Sequence, residues 1–408
     1  MNTFNHIKQS IVSSYQNLAL IVFGILLCLC FITPPSFAKQ QFNQEQVDEI
    51  LFHIHAYYVE DLPLSNIDKH NFDKLLTQLD PYSKYLSETE LEAIFSAANG
   101  RYTGIGIEVE IIANHVVIIN TLPGSPADLA GLEGGDKLVA INNNNVANKD
   151  IEYVSKLLKK SEYSTINITV ERQAHQLTLA LRRQEISLES VSSQMLSNGN
   201  GYLSLSSFNN NSYHDVARHL NKLALKHGAA LNGLVIDLRD NPGGTLTSAV
   251  AISDLFLNAG TIVSTKGRFY DANQHFTAQS GDVLNGAPVV VMINGNSASA
   301  AEILAGALQD NHRALVVGTP SYGKGSVQSL IPIGNGTTAL KLTTARYFTP
   351  SGRSIEGTGI SPDITLTNQV LSHLSKSAIM AGEQTVKNKQ LARLDSHILN
   401  AKKLLKNH

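Results

Sequence analysis

Two runs of consecutive apolar residues limit the fold of this chain most: Leu234-Val235-Ile236 within LNGLVIDL, and Val289 to Ile293 within APVVVMIN. Short runs of this kind, without polar alternation, read as strands covered on both faces. Each leads into a turn and then a helical pattern. RDNPGG precedes a helix from about Thr245 to Leu257, and NGNSAS precedes AAEILAGAL. YLSLSSF, RALVVG, SVQSLIPI and TTALKLTTARYF read as further strands, and an amphipathic helix carries Val216, Leu220 and Leu223 on one face. From Gly201 onward, this alternation implies α/β layers.

The upstream texture differs. Residues 42–60 place Val47, Ile50, Leu51 and Ile54 at helical spacing, NFDKLLTQLD is a second helical pattern closed by Pro81, and SETELEAIFSAA is a third with Ser87 as N-cap and Glu90 three positions on. Together they give a helical region over about 39–99. At Gly100 short strands take over: YTGIGIEVEII, HVVIINTL, KLVAINN, INITVER and HQLTLALR. The turn-rich PGSPADLAGLEGGD and the helical IEYVSKLLKK interrupt them, so 100–184 reads as a β-rich module. Residues 371–408 read as a polar, peripheral helical tail.

The N-terminus has its own logic. Leu18 to Ile32 is apolar throughout but shorter than the roughly 18 residues that suggest a spanning helix. Ser36-Phe37-Ala38 offers small residues for a signal peptidase, so residues 1–38 are expected to be a signal peptide, with an uncleaved anchor as the alternative. Either way the bulk of the chain is expected to be exported. Both cysteines, Cys28 and Cys30, lie in this segment, and Leu27 ahead of Cys28 argues against lipid attachment. The mature chain then has no thiol, which excludes a disulfide, a cysteine nucleophile and a thiolate metal site. A length of 408 residues allows several domains, and a net charge of -2 gives no reason to expect nucleic acid as a partner.

Chemistry is sought at the turns after the two buried strands. In NSASAAEILAGAL, Ser299 and Glu302 have capping-box spacing, and a serine at a helix N-terminus also has N–H groups beside it that suit a developing oxyanion. Ser297 reads as a support for the turn. The turn Arg239 to Gly244 offers further backbone N–H groups, or is a plain connection. A serine nucleophile needs a base. His214, His219, His227, His275 and His312 form no recognisable arrangement with an acid, and G-x-S-x-G, H-E-x-x-H and other metal spacings are absent. Lys324, between Gly323 and Gly325, is either a solvated turn residue or an amine whose burial makes it a base. G-x-x-x-x-G-K-[ST] is absent, so no phosphate loop is expected.

The stretch NGNSASAAEILAGALQDNHRALVVGTPSYGKGSVQ, residues 294–328, closely resembles the core signature of the carboxyl-terminal processing peptidases. These are the tail-specific serine proteases of peptidase family S41, with a Ser/Lys dyad. LDPYSKYL (79–86), YTGIGIEV (102–109) and VIDLRDNPGG (235–244) match the same family in the expected order, so the resemblance spans about 42–367. It implies a multidomain α/β chain with a crotonase/ClpP-like protease core (185–370), an inserted PDZ domain (100–184), an N-terminal helical region (39–99) and a C-terminal helical tail (371–408). By the same resemblance Ser299 is the nucleophile and Lys324, twenty-five residues on, is its base. Gln328 helps hold the lysine, being four residues further and so on the same face if the segment is a strand. Ala300 and either Gly243 or Gly244 supply the oxyanion hole. One departure is Ala301, where many members have another serine.

In the PDZ domain, Gly104-Ile105-Gly106-Ile107 matches the loop that captures a terminal carboxylate, beside which a peptide adds as a strand. The implied enzyme is a serine endopeptidase of the bacterial periplasm or cell envelope, needing no metal or other cofactor. Its partners would be proteins or peptides with free C-terminal tails, and a membrane only if the N-terminal segment stays uncleaved. No sequence feature specifies an adaptor protein, which the reading leaves open. The rival readings are a catalytically silent PDZ scaffold, a PDZ-bearing protease with a Ser-His-Asp triad, and an acyl-CoA enzyme on a related scaffold. The last is a fold-level analogy alone.

Overall fold

A computed structural model describes residues 42–62, 72–158, 164–187, 189–366 and 404. The expected signal peptide, 1–38, and nearly all of the expected tail, 371–408, lie outside the described residues. By contacts the chain divides after Asp48. Of the first unit the start of one helix is described, and the second holds all the sheets.

The first elements are α1 (Gln44–Tyr57), α2 (Phe72–Leu79), β1 (Lys84–Leu86) and α3 (Glu88–Ala98). Helical spacing buries Ile50, Leu51 and Ile54 of α1 on one side. Ser87 starts α3, donating its N–H to Glu90 Oε2 at 2.9 Å and accepting the Glu90 N–H on Oγ at 3.4 Å. The stretch is not helical throughout, because β1 pairs antiparallel with the long strand Thr338–Phe348. Three residues are too few to show a period in sequence. Asp80 fixes the turn that leads into β1. Its carboxylate accepts from Tyr82 N–H (2.8 Å), Ser83 N–H (2.9 Å), the Ser83 hydroxyl (2.6 Å) and the Thr343 hydroxyl of the partner strand (3.0 Å).

The β-rich module comprises β2 (Arg101–Gly104), β3 (Ile107–Ile112), β4 (His115–Thr121), α4 (Pro126–Leu129), β5 (Lys137–Ile141), β6 (Asn144–Asn145), α5 (Ile151–Leu158), β7 (Thr165–Arg172), β8 (His175–Arg182) and β9 (Gln184–Ser187). Its main sheet has the order β3-β4-β5-β7-β8, with β6 on β5. A separate ribbon, β2 with β9, joins the start of the module to its end. Alternation buries Ile166, Ile168 and Val170 of β7 against Val116, Ile118, Leu138 and Ile141. β3 is the end strand of the sheet, and α5 packs beside it.

The α/β part follows: β10 (Val191–Met195), β11 (Asn200–Leu205), α6 (Ser212–His227), β12 (Gly233–Asp237), α7 (Leu246–Asp254), β13 (Thr261–Lys266), β14 (His275–Thr277), β15 (Val289–Ile293), α8 (Ala300–Asp310), β16 (Ala314–Gly318), β17 (Ser326–Ile333), β18 (Thr338–Phe348) and β19 (Ile364–Thr365). One sheet has the order β10-β11-β12-β15-β16-β19, parallel except for β10. The two continuous apolar runs are its central strands, β12 and β15, and every residue in them is buried. A second, antiparallel sheet orders β1-β18-β13-β14, with β17 also on β18. Helix α8 is buried all round from Ala300 through Leu308, and apart from Glu302 these residues are apolar or glycine. Since β12 and β15 are parallel neighbours, the turns leaving their carboxyl ends meet.

Asp80→Ala removes the acceptor of four donors, and a loss of roughly 2 kcal/mol or more in folding free energy is expected from equilibrium urea unfolding. Asp80→Asn, which keeps one carbonyl oxygen, should lose less.

Candidate active site

Ser299 occupies the sharp junction between β15 and α8 with φ 56° and ψ -114°, backbone that a non-glycine residue rarely adopts. Its own N–H donates to Glu302 Oε2 at 2.7 Å. Glu302 has zero exposure, and the same carboxylate takes three more donors: the Ser321 hydroxyl (2.6 Å), Gly323 N–H (2.7 Å) and Lys324 N–H (2.9 Å). Sequence spacing offers Glu302 only as a cap for its own helix. Its larger part is to fasten the lysine loop to the serine turn, and no local pattern could reveal a partner some twenty residues away.

The turn after β12 presses on the same serine. A Cβ on Gly243 (φ 100°) would lie 2.7 Å from Ala298 O, 2.8 Å from Ser299 Cβ and 2.9 Å from Ala300 N, so only glycine allows this approach. Gly243 N–H donates to Asn241 Oδ1 at 2.8 Å. Gly244 N–H makes no hydrogen bond among the described residues, and it is the uncommitted donor of the two glycines. Ala300, first residue of α8, has no acceptor for its N–H within the helix.

Other bonds stitch the turns together. Ala298 N–H donates to Asn241 O at 2.9 Å, and Ser297 Oγ to Leu238 O at 2.8 Å. Asp240 accepts from Asn294 Nδ2 (2.9 Å) and Asn296 Nδ2 (2.8 Å), and these bonds hold its carboxyl below the usual range.

Lys324 extends from a loop whose glycines are set by packing. A Cβ on Gly323 would lie 2.9 Å from Thr358 N and from Gly359 N, and one on Gly325 would lie 2.6 Å from Glu356 N. Burial pushes the lysine down from its ordinary value, opposed by the charges of Glu356 and Glu302. Among the described residues its Nζ makes no hydrogen bond or ion pair. It lies 4.9 Å from the centroid of the Tyr82 ring, in the LDPYSKYL segment. Gln328 Nε2 donates to Ser326 Oγ (2.9 Å) and Thr343 Oγ1 (3.3 Å), with no hydrogen bond to Lys324. The even-spacing argument for Gln328 does not apply here: Lys324 precedes β17, and the strand's register shifts between Val327 and Gln328.

Among the described residues, no cluster suited to a metal ion occurs. One serine–histidine hydrogen bond, Ser193 Oγ to His219 Nδ1 at 2.8 Å, joins β10 to α6 and not the turns after β12 and β15. In the β-rich module Ile105 is buried, and Gly106 has φ 78°. The carbonyls of Ile105 and Gly106 accept from Ala127 and Leu122 N–H, each at 2.9 Å. These bonds set the Gly104–Ile107 segment at the head of β3, the end strand against which α5 packs.

Residues 199–366 match peptidase family S41, and residues 117–172 match the PDZ domain. A carboxy-terminal-processing protease of Bartonella bacilliformis is 36% identical over 317 residues, covering 77% of this chain and 72% of the relative. A probable CtpA-like serine protease of Staphylococcus aureus is 30% identical over 333 residues, covering 80% of this chain and 65% of the relative. Among solved structures, a photosystem II D1 C-terminal processing protease aligns with a TM-score of 0.50 at 27% identity, covering 81% of this chain and 95% of that one.

Replacing Glu302 by alanine strips four donors of their acceptor at zero exposure, and each orphaned group costs about 1–3 kcal/mol. Thermal melting should show a clear drop in Tm, with hydrolysis lost. Glu302→Gln can still accept some of these bonds, so it should melt nearer the parent while remaining slow.

Proposed function

Because the chain belongs to peptidase family S41 and carries a PDZ domain, we propose that it is an exported serine endopeptidase that binds protein C-terminal tails and cleaves near them. Ser299 is the nucleophile and Lys324 its general base. The observation that carries this reading is the strained Ser299 turn: Ala300 N–H is uncommitted, the Gly243–Gly244 turn presses against it, and one buried carboxylate holds it to the lysine loop.

In the first step, neutral Lys324 takes the Ser299 proton as Oγ attacks the scissile carbonyl. Ala300 N–H and a glycine N–H, Gly244 being the free one, stabilise the oxyanion. The amine leaves with a proton, and water then releases the acyl group. Nζ rests over the Tyr82 ring and makes no hydrogen bond to Oγ in this arrangement, so the transfer requires it to turn toward Ser299. Tail binding supplies selection. The Gly104-Ile105-Gly106-Ile107 segment holds the terminal carboxylate, and the tail adds to the outer edge of β3 beside α5. Supporting this, β3 ends its sheet and the loop's carbonyls are already engaged elsewhere.

The division accompanying this reading has a signal peptide at 1–38, a helical region at 39–99, the PDZ domain at 100–184, a crotonase/ClpP-like core at 185–370 and a tail at 371–408. The periplasm or cell envelope is the proposed location.

A folded reporter protein bearing an unstructured tail with an apolar terminus tests the reading. Wild-type enzyme should yield products cut near the tail by mass spectrometry, and Ser299→Ala and Lys324→Ala should yield none. Unchanged processing by Lys324→Ala would favour a silent tail-binding scaffold or a different base. The mass of the enzyme itself, beginning at Lys39, would report cleavage of the signal peptide.

The base must be neutral, so kcat/KM should rise with pH through an apparent pKa below the ordinary lysine value of about 10.4. Glu356 favours the ammonium form, so Glu356→Gln should move that rise to lower pH. The substituted amide can still accept the Gly325 N–H bond, which is 2.8 Å in the parent. A shift to higher pH would contradict the assignment.

A further inference from the structure

The backbone around Lys324 is held at every polar group, and one side chain makes the bond that neither glutamate can make. Glu302 accepts the Gly323 and Lys324 N–H groups, and Glu356 accepts that of Gly325. On the carbonyl side, Tyr347 N–H donates to Gly325 O at 2.9 Å, and the Tyr347 hydroxyl donates to Lys324 O. Tyr347 lies near the end of β18, is 2% exposed and packs in the core of the α/β part. A single phenol oxygen, buried in the core, thus bonds the main chain of the lysine.

We propose that Tyr347 is a positioning residue for the Ser299/Lys324 reaction, its hydroxyl and N–H anchoring the lysine loop through the carbonyls of Lys324 and Gly325. The inference rests on the Ser/Lys reading above. A phenol suits this part because its O–H can donate to a backbone carbonyl from a rigid ring packed in the core. Burial, followed by the charge of Glu302, pushes the phenol well above its ordinary range, with Glu356 and Tyr82 adding to the rise. It therefore stays protonated, and able to donate, wherever Lys324 is neutral.

Tyr347→Phe keeps the ring and loses only the hydroxyl. Against the tailed reporter protein, kcat should fall about 10- to 100-fold with KM within about twofold, because alignment is lost and tail binding is not. The urea midpoint should stay near that of the parent. If Ser299→Ala is inactive while Tyr347→Phe keeps kcat within about twofold of wild type, the inference fails and the dyad stands. If Ser299→Ala retains activity, both fall. A drop in kcat matched by a rise in KM and a large loss of stability would mark a purely structural tyrosine and overturn the proposal.

A second measurement does not depend on the phenylalanine variant folding. Site-specific replacement of Tyr347 by a fluorinated tyrosine lowers the phenol pKa and leaves the shape almost unchanged. Activity should survive at neutral pH and then fall as pH rises, because a phenolate cannot donate to the Lys324 carbonyl. A profile without that descending limb would refute the role.

Discussion

A single buried carboxylate, that of Glu302, joins the two parts of the proposed active site. It receives four donors at 2.6–2.9 Å from the serine turn and the lysine loop. A carboxylate with zero exposure is costly unless its lone pairs are filled, and here backbone N–H groups and one hydroxyl fill them. The consequence is geometric. The Ser299 backbone keeps a conformation that would otherwise relax, and the start of the lysine loop cannot drift from it.

Around this link the rest of the site is built by adjacency. β12 and β15 pair in parallel, so their turns emerge side by side, and Gly243 lets one turn press on the other. Asp240 and Asn241 then fasten the contact, the first through Asn294 and Asn296, the second through Ala298. The antiparallel sheet brings Tyr347, Gln328 and, through β1, the Asp80 turn that carries Tyr82. The backbone of Lys324 is held on both sides, its N–H by Glu302 and its carbonyl by Tyr347. In the described arrangement its ammonium faces the Tyr82 ring.

Much of this was readable from local signals. The apolar runs of β12 and β15 sit at the sheet centre because only fully covered strands tolerate such runs. Ser87 and Glu90 form their capping box because that device is local. Readings that assumed regularity fared differently. Three-residue β1 is hidden among helical patterns, and the register shift at Val327 and Gln328 defeats the even spacing that would aim Gln328 at Lys324.

The sequence by itself determined the α/β alternation, the upstream β-rich module, the serine at a helix start and the absence of a thiol downstream of Cys30, because periodicity, capping and composition are written in neighbouring residues. The motifs also pointed to peptidase family S41, which the relatives bear out. Only the tertiary structure decided which distant groups meet: Glu302 with Lys324, Gly243 with Ser299, Tyr82 with Nζ, and Tyr347 with the Lys324 carbonyl. The physical reason is that buried polar groups find partners wherever the packed chain brings them, and sequence separation sets no limit on that distance.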